Sequence, residues 1–110
     1  MSDAFEEREQ GFEAKYHLDE ERTFRITAKR DKLFGLWAAK EMALDDSAAE
    51  AYALALVESE LTSHGDDEIV ARVLQDLTAK GVDITEGRLV IKLQKFRDEA
   101  DRIIRGVEKS

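Results

Sequence analysis

Leu89, Leu93, Phe96, Ala100, Ile103 and Val107 recur in steps of four and three, which places all six on one face of an α-helix. No segment shows the strict alternation of a half-buried strand bounded by turn residues. Proline is absent from all 110 positions, so nothing forces a break inside a helix. The expected fold class is all-α: a four-helix bundle with a mobile or partly helical N-terminal arm. The arm spans residues 1–23 and the bundle 24–110, with helices at about 24–43, 47–63, 66–80 and 85–107.

Local signals place the helix ends. Thr85 is the expected N-cap of the last helix, its hydroxyl accepting an orphan backbone N–H. Asp98 with Arg102 and Asp101 with Arg105 stand at i,i+4 in the favourable order. Before it, Ile69, Val70, Val73, Leu74 and Leu77 form one stripe, Asp66 is the expected cap, and Gly81 the left-handed terminator. The short link from Gly81 to Ile84 makes these two helices antiparallel neighbours. Ser47 and Glu50 read as a capping box for the second helix, and Gly65 as its close. That helix has two apolar stripes: Ala48, Ala51, Tyr52, Ala55 and Leu56 on one side, Leu54, Val57 and Leu61 on the other. A helix apolar on two sides is expected to be central in the packing. The first bundle helix also has two faces: Phe24, Ala28, Gly35, Ala39 and Met42, and opposite them Ile26, Leu33, Trp37 and Leu44. Gly35, in mid-helix, costs about 1 kcal/mol against alanine and implies a neighbouring helix at close range.

Residues 3–23 differ in kind. Phe5, Phe12 and Tyr16 share one face at spacings of seven and four, with Gly11 between them. One thin aromatic stripe buries roughly 5–8 kcal/mol at best, and ordering some twenty residues costs more than that. The arm is therefore short of contacts alone and firms into a helix only against a surface that supplies them.

The net charge of −8 argues against nucleic acid or an anionic membrane as partner. The charge is blocked: residues 1–22 carry −5, 23–40 +4, 41–86 −10 and 87–110 +3. No apolar run approaches the roughly 18 residues of a membrane span, and the acidic start MSDAFEEREQ lacks a signal-peptide core. The expected location is the cytoplasm. Without cysteine there is no disulfide, thiolate metal site or thiol catalysis. His17 and His64, the two histidines, have no metal-ligand spacing and read as surface residues. Neither a phosphate-binding loop nor a dinucleotide fingerprint is present. Asp45–Asp46 and Asp66–Asp67 sit where helices begin and lack the glycine and ligand spacing of a calcium loop. No catalytic residue, no metal ligand and no required cofactor is indicated.

The stretch KLFGLWAA at 32–39, preceded by Ala28, Lys29 and Arg30, resembles the signature of the zeta subunit of alphaproteobacterial F-type ATP synthases. FEAKY at 12–16 with Asp19-Glu20-Glu21, GDDEI at 65–69 and AKGVDIT at 79–85 are similar to further stretches of that family, in order along essentially the whole chain. Asp31 stands where the family commonly has Asn, and Phe34 where it has Leu. The resemblance implies an inhibitor of ATP hydrolysis whose N-terminal segment inserts at a catalytic interface between alpha and beta subunits, near the gamma subunit of the rotor. Carried over by position, that segment is residues 1–19 and includes Phe5, Arg8, Phe12, Lys15 and Tyr16. The three aromatics would fill apolar pockets, and Arg8 and Lys15 would pair with acids. It also implies a protein peripheral to the membrane through the synthase, not inserted in it, and a monomer when free. Two other classes remain open: a four-helix adaptor for another complex, and a small bundle that senses ADP or ATP in a groove lined by Arg or Lys.

Overall fold

Four helices follow one another in the computed structural model: α1 (Ser2–Glu41), α2 (Asp46–Thr62), α3 (Asp66–Ala79) and α4 (Glu86–Lys109). The structure describes the backbone of residues 2–62 and 65–109, and the side chains of residues 19–60 and 65–108. The helix expected from about Phe24 is thus the second half of a single 40-residue helix, roughly 60 Å long at 1.5 Å per residue.

The axis of the packing is α1, not α2. It lies along both α2 and α4, while α3 closes against α4 and touches α1. The reason lies in its side chains. Ile26, Arg30, Asp31, Phe34, Ala38 and Ala39 are all buried, as is Met42 just past its end, so α1 turns covered surface to several neighbours. Among the described side chains of α2 only Ala49, Ala53 and Leu56 are buried, and its expected second stripe fails at Leu54, which stays exposed, while Leu61 lies outside the described side chains. Phe24, expected on a core face of α1, is exposed too.

Gly35 explains how α1 and α2 meet. A Cβ there would lie 2.9 Å from Ala53 Cα and 3.2 Å from Leu56 Cδ2, so the two backbones approach as only glycine permits. Phe34 is fully buried. It stacks on Trp37 at 5.9 Å between ring centroids and meets Phe96 of α4 at 6.3 Å. Ile69, Val70, Val73 and Leu77 of α3, with Leu89 and Leu93 of α4, complete this core. The α4 stripe weakens outward, because Ile103 and Val107 are exposed.

Helix ends follow the expected chemistry in part. Thr85 Oγ1 accepts the Arg88 N–H at 3.3 Å. Gly81, at φ 79°, closes α3 in a Schellman turn: the Val82 N–H reaches Leu77 O and the Gly81 N–H reaches Thr78 O. The same turn ends α1, with Leu44 N–H to Ala39 O and Ala43 N–H to Lys40 O. Here Ala43 takes the left-handed position at φ 61°. Two caps differ from expectation. Asp45, not Ser47, caps α2, its Oδ1 accepting the Ala48 N–H at 2.8 Å. Gly65 is the N-cap of α3 with an extended backbone, and Asp66 is the first residue of the helix, its carboxylate accepting from Arg30.

Candidate functional site

Phe5, Arg8, Phe12, Lys15 and Tyr16 fall within α1 by position, and their side chains lie outside the described residues. The structure does describe the root from which that segment starts. Arg22 Nε donates to Glu108 of α4 at 2.8 Å, and Arg22 Nη1 meets Asp19 at 3.1 Å. Arg25 bonds Glu21 at 3.2 Å. Thr23 Oγ1 donates to the Asp19 carbonyl at 2.9 Å. These pairs are solvent-facing and contribute about 0–1 kcal/mol each. Only the Arg22–Glu108 pair among them joins α1 to α4; the others lie within α1.

Just inside the root, α1 carries two adjacent opposite charges that periodicity alone does not reveal. Arg30 and Asp31 are 4% and 2% exposed. Arg30 Nε and Nη2 both reach Asp31 Oδ1, at 2.9 and 2.8 Å, and Nη1 reaches Asp66 at 3.0 Å. One guanidinium thus ties α1 to the first turn of α3. Burial pushes the Asp31 carboxyl above its ordinary range, with Arg30 opposing and Asp66 adding to the rise. Glu60 of α2 is raised as well, by burial first and then by Asp31 and Glu68. The available signal was register: Asp31 stands three residues after Ala28 and four before Gly35, within the face expected to be covered.

At the far end of α1, Trp37 lines a groove of about 450 Å³ with Val82, Ile84, the bases Arg88, Lys92 and Lys95, and the acids Glu41 and Asp83. Lys92 Nζ lies 5.4 Å from the centre of the Trp37 ring and 5.9 Å from that of Phe96, within reach of a cation–π interaction. Tyr52 donates to Asp76 at 2.7 Å, and burial with that carboxylate raises its phenol well above the usual range. Among the described residues no group of three or more His, Cys, Asp and Glu could hold a metal ion. His64 and the side chain of His17 lie outside them.

A family model described as ATPase inhibitor subunit zeta matches residues 1–102. The chain belongs to this family. The match takes in the N-terminal segment, the Arg30–Asp31 pair and the whole of α2 and α3, and ends within α4. No curated protein matches the chain. Membership gives this zeta-family chain an inhibitory role at the ATP synthase. None of its helices, over the described residues, is long and apolar enough to cross a membrane.

Proposed function

We propose that the chain blocks ATP hydrolysis by placing its N-terminal segment at an alpha/beta catalytic interface of the synthase, beside gamma. The observation that carries this reading is where the core begins. Among the described side chains none from Asp19 to Arg25 is buried, and the buried apolar residues run from Ile26 onward. The bundle therefore has a core that does not draw on residues 19–25, and on this reading the segment before them meets the partner. Phe5, Phe12 and Tyr16 supply apolar anchors, with Arg8 and Lys15 beside them for acidic groups. A helix wedged in that interface stops it from opening and closing as the rotor turns. The chain makes and breaks no bond, and it meets the membrane only through the synthase.

Deleting residues 1–19 tests the reading in an ATPase assay on the synthase. The truncated chain is expected to keep its thermal unfolding transition and lose inhibition; inhibition that survived the deletion would remove the assignment. Phe12→Ala is expected to weaken inhibition without loss of helix content in the bundle.

A second reading concerns regulation. The groove beside Trp37 combines an aromatic face with Arg88, Lys92 and Lys95, none of which has an ion pair among the described residues, so its three bases outnumber its two acids, Glu41 and Asp83. That chemistry suits ADP or ATP as a regulatory ligand. Saturable amide shifts confined to this groove on ATP titration support it, and their absence removes it.

A further inference from the structure

A second apolar groove, of about 670 Å³, opens at the root of α1 between α2 and the C-terminal half of α4. Phe24, Ala28, Leu54, Val57 and Ile104 line it. Phe24 and Leu54 are 59% and 58% exposed, although each is large and apolar. Arg25, Lys29 and Lys32 form its rim at i, i+4 and i+7, a row about 10 Å long. The facing acid is Glu50, 3.9 Å from Lys32. Arg25 is engaged by Glu21 and lies 4.0 Å from Glu108, and Lys29 has no ion pair among the described residues. An apolar strip beside a cationic row thus stands on a chain of net charge −8.

We propose that this groove docks an acidic amphipathic helix of the synthase's catalytic head, as a second contact beside the N-terminal segment. The proposal rests on the inhibitory reading above. A helix with an apolar stripe and carboxylates along one flank matches the floor and the rim together. Position points the same way, since Phe24 to Lys32 continue α1 directly from the segment assigned to the catalytic interface. Other occupants fit less well. A two-fold pair of this chain would bring two copies of the same cationic row into one interface. The chain's own N-terminal segment would reach the groove only if α1, continuous from Ser2 to Glu41, broke and reversed. Burial of Phe24 and Leu54 supplies affinity, and the cationic row supplies orientation and speed of association.

The test measures binding of full-length chain to the isolated catalytic head by calorimetry, at low and moderate salt. Leu54→Glu sets a carboxylate in the floor, and Lys29→Glu inverts the rim. Each is expected to weaken binding about tenfold or more, with helix content and melting temperature unchanged. Lys29→Glu is also expected to reduce the salt dependence. Leu54→Ala serves as the milder floor variant if Leu54→Glu perturbs the fold. Wild-type affinity in both Leu54→Ala and Lys29→Glu overturns the proposal. So does a free wild-type dimer, seen by sedimentation, that Leu54→Glu dissociates. Phe12→Ala, read by inhibition, keeps the two ideas apart. If it inhibits normally while Leu54→Glu binds weakly, the segment assignment fails and the groove stands. The converse pattern removes the groove alone.

Discussion

Ala43 holds a backbone conformation that an L side chain adopts at a cost of roughly 1–2 kcal/mol. It does so because the Schellman turn at the end of α1 needs a left-handed residue there, the role that Gly81 fills after α3. Ala43→Gly is therefore expected to stabilise the fold by about 1 kcal/mol, read as a higher melting temperature. Gly35 gives the opposite case. Alanine would gain about 1 kcal/mol of helix propensity there, but its Cβ would press on the Ala53 backbone at 2.9 Å. Backbone cannot swing aside as a side-chain tip does, so Gly35→Ala is expected to destabilise by about 1–3 kcal/mol in denaturant unfolding. A neutral result would mean that α2 slides along α1 at little cost.

At the scale of elements, α3 and α4 were legible because their large apolar residues mark one side, and the structure buries Ile69, Val73, Leu77, Leu89 and Leu93 as the spacing implies. The pairing of α1 with α2 was not legible in the same way. It is built on Gly35, Ala38, Ala49 and Ala53, small residues whose burial depends on how closely two backbones run. The large residues Phe24 and Leu54 then misled, since they are apolar but uncovered. The Arg30–Asp31 pair was hidden because adjacent charges read as surface until they are seen to neutralise each other. The segment named as the site was legible as a stretch short of contacts; what it touches is decided by another protein's surface.

The raised carboxyls between these helices have a measurable consequence. Folding holds the Asp31 and Glu60 protons more tightly than the unfolded chain does. Stability from these groups therefore rises as pH falls through the raised values, and is lost as pH climbs back above them. Glu60→Gln removes one of the two. The variant is expected to melt higher than wild type at pH 7, with its advantage shrinking as pH is lowered toward 5. A constant difference would mean that Glu60 titrates as an ordinary carboxylate.

On the scale of the whole molecule, one helix belongs to both halves of the protein. Residues of the N-terminal segment and residues of the core share α1 without a joint, and the other three helices gather around its second half. Blocks of charge are arranged to suit: the cationic stretch 23–40 lies against α2, from the most acidic part of the chain, and Lys32 meets Glu50 across that contact. The bundle is in effect a handle fixed to one end of a rod.

A rod with no joint has a fixed phase. Each residue of α-helix turns the chain by about 100°, so one alanine inserted after Thr23 would rotate everything before it by that angle relative to the groove beside Phe24. Seven inserted residues bring it back to within about 20° and displace it by roughly 10 Å. If both surfaces meet the synthase at once, inhibition measured across such insertions should rise and fall with the helical repeat. A steady decline with length would describe a tether, whereas an oscillation would describe a key whose teeth must face the right way.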